Sequence, residues 1–205
     1  MSVTTPIENR DNFNISITGD LGSGKSSVAK VLCKLLDYQY FSTGSVQREM
    51  AKDKGMDTLE LNYYSEKDTK IDDYIDDYLR RINTGDVSYI LDSRLAWFFV
   101  TKSFKIYLTV QPEIAAKRVL SDAERSSEPF AADIKTKSEA LLERRSVENR
   151  RFQRIYGVDC ADLNNYDLIV DTSERSIQET VDLIIDNFEQ WKNKLPFAKV
   201  WAEAR

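Results

Sequence analysis

Histidine is missing from all 205 positions of the chain. Without an imidazole, Ser-His-Asp and Cys-His activation of a nucleophile are excluded. Cysteine is nearly missing too. Cys33 and Cys160 stand far apart with no CxxC spacing, so metal centres of the Cys/His type are excluded as well. Any enzymatic chemistry must then run on carboxylates, Lys, Arg, a cofactor or a metal ion. Cys33 falls in the apolar run "VAKVLCKLL" and reads as a buried reduced thiol. No apolar run approaches the ~20 residues that a membrane span needs. The stretch "MSVTTPIENRDNF" has no basic region leading into an apolar one, so no signal peptide is expected. A soluble cytoplasmic chain without a membrane partner follows as an expectation. The balance of 29 basic against 34 acidic residues, a formal charge of −5, gives no overall attraction to nucleic acid, although a local basic patch can still hold a small anion.

Glycine is also scarce, with 7 residues in the chain. Yet Gly19, Gly22 and Gly24 crowd into six positions of "SITGDLGSGKSSVAK". Glycine is placed where the backbone needs positive φ or must approach something closely. Gly19-Asp20-Leu21-Gly22-Ser23-Gly24-Lys25-Ser26 matches GxxxxGK[ST] at every position, with Ser27 following. In that motif successive N–H groups curl into an anion nest, and the start of the next helix adds unpaired N–H groups and a partial positive charge. Lys25 reaches the β- and γ-phosphates and the Ser26 hydroxyl ligates Mg²⁺. Residues 19–27 are therefore the expected seat of ATP.

The flanking pattern gives this loop its setting. "FNISIT" (13–18) reads as a strand buried on both faces. In 25–37, apolar positions 28, 31, 32, 35 and 36 follow the spacing of a helix face. Further along, 43–55 reads as a helix stopped by Gly55, and 65–85 as a strong helix capped by Ser65 with Ile71, Ile75, Tyr78, Leu79 and Ile82 on one face. Strands are expected at 87–92, 104–110 and 166–173. A helix begins at Pro112, "SSEPF" marks a break before a basic helical pair, and a closing helix ends near Pro196. Strands alternating with helices predict an α/β fold: a parallel sheet with helices on both faces, in three layers. One domain over 1–205 is expected, with an acceptor-binding part at about 42–85 and a helical lid at about 121–156.

Motors, GTPases and small-molecule kinases share such a loop. A GTPase would need a base-reading motif such as NKxD, and none is present. A small kinase needs an acceptor pocket and a cap that excludes water. Three further segments resemble the cytidylate kinase branch of the P-loop nucleoside monophosphate kinases, and in particular its short archaeal forms. "YQYFSTGSVQREMAKDKGMD" is similar to the family's acceptor segment, "LDSRLAWFF" to its "EGRLAGW" segment, and "RRSVENRRFQRIYGVDCADLNNYDLIVDTS" to its "REESExxRYxxxYGIDxxDxxxYDLVIxTS" segment. The resemblance runs over roughly residues 13–185. It implies that Thr43, Gly44 and Arg48 hold an acceptor monophosphate, with Arg94 as a second clamp. It implies that Asp92 holds Mg²⁺ through water, that Arg144 and Arg151 come from the lid onto the transferring phosphoryl group, and that Asp171, Thr172 and Ser173 lie beside the adenine. The chain departs from the pattern at Ser45, where the archaeal forms are acidic, at Ser93 in place of a glycine, and at Arg145 in place of Glu.

The implied activity is transfer of the ATP γ-phosphoryl group to CMP or dCMP, with Lys25, Arg94, Arg144 and Arg151 as the catalytic set. Another small-molecule acceptor, or a nucleotide-binding regulator without kinase activity, stays open. The residues themselves are consistent with transfer. Bringing two anionic phosphates into line requires cations from several directions, and Arg forks bind phosphate oxygens in pairs. Residues 144–154 supply Arg144, Arg145, Arg150, Arg151 and Arg154, with Arg144 and Arg151 on one face of a continuous helix; Arg118 is a further candidate. Asp92 also suits a helix cap. Asp72 and Asp76 are expected to face water, and Tyr38 and Tyr40 to fill core and surface.

Overall fold

Six parallel strands form one sheet in the order β2-β3-β1-β4-β5-β6. The molecule is described from a computed structural model that covers residues 13–65, 68, 70–122, 133–194 and, by backbone alone, 200–202. The strands are β1 (Asn14–Gly19), β2 (Gln39–Ser42), β3 (Tyr89–Asp92), β4 (Ser103–Thr109), β5 (Leu168–Asp171) and β6 (Val200–Ala202). All six residues of β1 are buried, as expected where helices cover both faces of a parallel sheet. Ile15, Ile17, Ile90, Phe104, Ile106, Leu168 and Val170 build the main core with Val28 and Leu32 of α1 (Lys25–Leu36) and Ile184 and Phe188 of α8 (Ile177–Lys192). Ser176 caps α8 in a reciprocal box with Glu179. The expected break at "SSEPF" lies outside the described residues.

Between β2 and β3 the chain forms α2 (Thr43–Asp53), α3 (Thr58–Ser65) and α4 (Lys70–Thr84). The expected helix over 65–85 is thus shorter at its start. Ser65 ends α3, its hydroxyl donating to Leu61 O at 2.9 Å, rather than capping α4. The apolar stripe of α4 is realised, with Ile71, Ile75, Leu79 and Ile82 buried against Phe41, Ala51, Leu61 and Leu91. Three elements carried too little periodicity to be anticipated: β2, α3 and the single turn α5 (Ala96–Phe99). The short edge strand β6 was not anticipated either.

After α6 (Pro112–Leu120) comes α7 (Ile134–Tyr156), one helix of 23 residues where a helical pair was expected. Asp133 caps it by accepting from Thr136 N, and Gly157 ends it in the left-handed conformation. This helix packs on α6 and α3. Its contacts with α4 overturn the water-facing reading of Asp72 and Asp76, which are 5% and 3% exposed. Arg151 lies 3.1 Å from Asp72, and the Tyr156 hydroxyl donates to Asp76 at 2.7 Å. A carboxylate on a helix face meets water only if no second helix covers that face, and here α7 does.

Burial pushes the Asp76 carboxyl up from 3.8 to about 6 against the pull of Tyr156 and Arg80. The folded chain therefore favours the protonated acid. That contribution to stability is complete below about 3.8 and lost as pH rises through about 6. For Asp76→Asn, unfolding in urea should show near-equality with the parent at about pH 4 and a gain on the order of 1–2 kcal/mol at about pH 7.5.

Candidate active site

The loop from Gly19 to Gly24 joins β1 to α1 and is pressed between β4 and α6. A Cβ on Gly19, whose φ is 139°, would stand 2.0 Å from Leu108 O, and one on Gly22 would stand 2.8 Å from Ala115 Cα. Both glycines are therefore demanded by close approach and by positive φ together. Asp20 N donates to Leu108 O at 2.8 Å, and Ser23 N and Oγ both donate to Asp20 O, at 3.3 and 2.9 Å. Gly24 caps α1 from the left-handed region. A glycine-rich turn leading into a helix start is the arrangement that receives polyphosphate. Lys25 Nζ folds back over its own loop, donating to Gly19 O at 3.1 Å and Asp20 O at 2.5 Å.

Ser26, the next residue, donates to Asp92 Oδ2 at 2.6 Å. Asp92 ends β3 and is buried; its carboxylate also accepts from the Tyr40 and Ser42 hydroxyls at 3.3 and 3.4 Å. Tyr40 is thus a partner of Asp92 rather than filler, and burial, with Asp92 beside it, pushes its phenol above the ordinary value. Ser42 also caps α2, accepting from Ser45 N at 3.3 Å. The first turn of α2, with Thr43 and Gly44, is therefore aimed at the same place as the start of α1. A small cavity of ≈ 50 Å³ lies there, lined by Lys25, Ser26, Thr43, Gly44, Arg48, Asp92, Arg94 and Arg144 among others. With Leu21 of the loop, nine of the expected residues, drawn from the loop, α1, α2, β3, the turn after β3 and α7, meet in it. A space of that size holds water-sized groups, well below the ~300 Å³ of an ordinary ligand pocket.

Two arginines of this cavity share one carboxylate that sequence reasoning passed over. Glu148 is 2% exposed. Its Oε2 accepts from Arg94 Nε at 2.9 Å and its Oε1 from Arg144 Nε at 3.1 Å. Arg94 Nη1 also donates to the Gly19 carbonyl, and Arg144 Nη1 donates to Thr58 Oγ1 at 3.1 Å. Burial would lift the Glu148 carboxyl, but Arg94, Arg144 and Arg151 outweigh it and hold it down to about 2. Burial likewise opposes the Arg94 charge, and Glu148 overrides it and keeps the guanidinium above its usual value. The spacing Arg144-x3-Glu148-x2-Arg151 puts all three on one helix face and was the signal available for finding Glu148.

Arg151 goes elsewhere. It is 1% exposed, with Nη1 donating to Asn62 Oδ1 at 2.8 Å and Nη2 to Asp72 Oδ1 at 3.3 Å. It lies beneath α3 and α4 rather than among the residues lining the small cavity. Arg150 is exposed and donates to Ser146. Arg145 meets Asp20 and the Tyr107 hydroxyl.

On the other side of the loop a cleft of ≈ 390 Å³ is lined by Gly22, Gly24, Ser27, Arg118, Thr172 and Arg175 among others. Arg118 braces it, donating to Thr172 O at 2.7 Å and Ser173 O at 3.4 Å, while Thr172 Oγ1 donates to Ser23 O at 3.0 Å. Of the expected stretch 171–173, Thr172 thus stands at the wall of the larger cleft.

A sequence family described as an AAA domain matches residues 15–142. The cytidylate kinase of Sulfurisphaera tokodaii is 36% identical over 172 residues, which span 83% of this chain and 92% of that protein. An S-adenosylmethionine-dependent nucleotide dehydratase of Lacinutrix mariniflava is 32% identical over 177 residues, 86% of this chain but 36% of that one. Among solved structures, shikimate kinase from Bacteroides thetaiotaomicron aligns with a TM-score of 0.60 over 86% of this chain and 98% of that one, at 12% identity, a likeness of fold alone.

Removing a shared buried carboxylate leaves two guanidinium groups facing each other without it. Glu148→Gln should cost about 3–5 kcal/mol of stability near neutral pH. Because the Glu148 pKa is depressed, the parent's advantage is present above about 4.5 and fades as pH falls toward about 2; unfolding curves across that window check both the size and the sign. Arg151→Met should also destabilise by about 3 kcal/mol or more, through Asp72 left buried and unpaired, which thermal unfolding reads directly.

Proposed function

Because the chain belongs to the cytidylate kinase family of P-loop kinases and is an ATP-dependent phosphotransferase, we propose that it moves the γ-phosphoryl group of ATP to a pyrimidine nucleoside monophosphate, CMP or dCMP. The observation that carries this reading is the meeting of Lys25 and Ser26 with Thr43, Gly44, Arg48, Arg94 and Arg144 in one cavity. Donor and acceptor phosphates come together only where cations converge from several elements. In this reading the ≈ 390 Å³ cleft takes the adenosine of the donor, residues 42–85 carry the acceptor, and α7 acts as the lid.

Lys25 leaves the carbonyls of Gly19 and Asp20 for the β- and γ-phosphates, which offer it a charge-assisted partner in exchange. The amides of 19–24 and the start of α1 hold the β-phosphate. Thr43 and Gly44, at the first turn of α2, and Arg48 hold the acceptor phosphate, with Arg94 beside it. Arg144 arrives from α7 and faces the group in transit. Both nucleotides are anions near neutral pH, the second phosphate pKa being about 6, so no general base is needed and a chain without histidine suffices. Ser26 Oγ and Asp92 Oδ2, 2.6 Å apart, are hard oxygen donors that suit Mg²⁺. Among the described residues no group of three or more His, Cys, Asp or Glu could hold a metal by itself, so such an ion would complete its shell with phosphate and water. Bound there, it would offset charge on the β- and γ-phosphates.

A different nucleotide acceptor is the second reading. It draws on the nucleotide dehydratase of Lacinutrix mariniflava, in which the same stretch forms part of a larger protein. Purified chain with ATP, Mg²⁺ and separate CMP, dCMP, UMP, AMP and GMP should release ADP fastest with CMP or dCMP. Turnover with another monophosphate alone would select the second reading, and tight ATP binding without turnover would leave a nucleotide-binding regulator. Lys25→Ala should lower kcat by at least about a hundredfold while unfolding within about 1 kcal/mol of the parent; retained transfer would remove Lys25 from its assigned place.

A further inference from the structure

Asp20 is an unusual neighbour for a polyphosphate. It follows Gly19 in the loop, and its own carbonyl accepts from Lys25 and from Ser23. An uncompensated carboxylate at that point would repel the ligand that the loop exists to hold. Its side chain is turned away and satisfied. Oδ1 accepts from the Tyr107 hydroxyl at 3.0 Å, and Oδ2 accepts from Thr109 Oγ1 at 2.8 Å and from Val110 N at 3.2 Å. Those three donors at the end of β4 are neutral; they aim the carboxylate without cancelling its charge.

The cation comes from α7. Arg145 Nη1 donates to Asp20 Oδ1 and Arg145 Nη2 to the Tyr107 hydroxyl, and the guanidinium carbon lies 5.7 Å from the centre of the Tyr107 ring. The side chains of Arg145 and Asp20 are 27% and 15% exposed, so the pair is only partly screened by water. One turn earlier on α7, Leu141 packs into a small apolar cluster with Val110, Ala115 and Val119, and Leu21 of the loop packs against it. The lid helix therefore touches the loop twice, once through this apolar cluster and once through charge.

We propose that Arg145 is a positioning residue of the phosphate loop. It neutralises Asp20 and fastens α7 to the loop, and the loop then receives a nucleoside triphosphate without an opposing charge. Arg145 acts through Asp20, not by touching the nucleotide. The inference rests on ATP as the donor in the function proposed above.

A double-mutant cycle on ATP affinity tests it, with ATP and Mg²⁺ titrated calorimetrically into the parent, Arg145→Met, Asp20→Asn and the double variant. Arg145→Met should weaken ATP binding about tenfold by leaving the carboxylate uncompensated. Asp20→Asn should cost less than about threefold, and adding Arg145→Met to it should cost almost nothing further. Arg145→Lys, which keeps the charge and loses the fork, should recover most of the affinity; a merely structural arginine would not be rescued so. An equal loss for Arg145→Met in the parent and in the Asp20→Asn chain would mean direct contact with the nucleotide and would overturn the proposal, as would an unchanged affinity in Arg145→Met. The two readings fail separately. ATP binding with the expected cycle but no transfer to any monophosphate refutes the kinase function alone, whereas transfer to CMP with additive losses refutes the role of Arg145 alone.

Discussion

Positive charges that must work together have to be held together before their ligand arrives, and in this chain a single buried carboxylate holds two of them. Glu148 sits between Arg94, after β3, and Arg144, on its own helix. Without it, two guanidinium groups would repel each other across a cavity of ≈ 50 Å³. With it, both stay beside the loop, each with its Nε donating to Glu148. An anion that enters competes with Glu148 for those forks and can offer more oxygens to them. The cost of burying three charges together is offset by their mutual pairing, and the two guanidinium groups so held line the small cavity.

The same device recurs on a smaller scale around it. Asp72 takes the Arg151 charge beneath α3 and α4, Asp20 takes Arg145 at the loop, and Asp92 gathers the hydroxyls of Ser26, Tyr40 and Ser42. Each carboxylate belongs to a different element from its main partner. Helix α7 contributes Arg144, Glu148, Arg151 and Arg145 to these contacts, and so joins the loop, α3, α4 and the turn after β3 through one rod. Moving that rod would change several of these pairs together.

The larger cleft depends on different physics. Its wall at Thr172 is held by Arg118, which donates to the Thr172 and Ser173 carbonyls, and it is bordered by residues of α1, α6 and α8. The two sides of the loop thus differ: one is lined by paired charges, the other is a roomier cleft of mixed polar and apolar lining.

What the chain order determined by itself was local. The spacing of Gly19, Gly22 and Gly24 before Lys25 announced the loop, because φ and close approach are properties of single residues, and the loop stands where those residues put it. The buried face of β1 and the stripe of Ile71, Ile75, Leu79 and Ile82 were legible because periodicity records which side of an element meets the core. The partners of the charges were decided only in three dimensions. Asp72 and Asp76 look like a solvated face until α7 covers them, Arg151 looks like a lid residue until Asn62 and Asp72 claim it, and nothing in a linear reading joins Asp20 to Arg145, 125 positions away. A charge has no periodicity, and its pKa and its role depend on which distant element the fold lays against it.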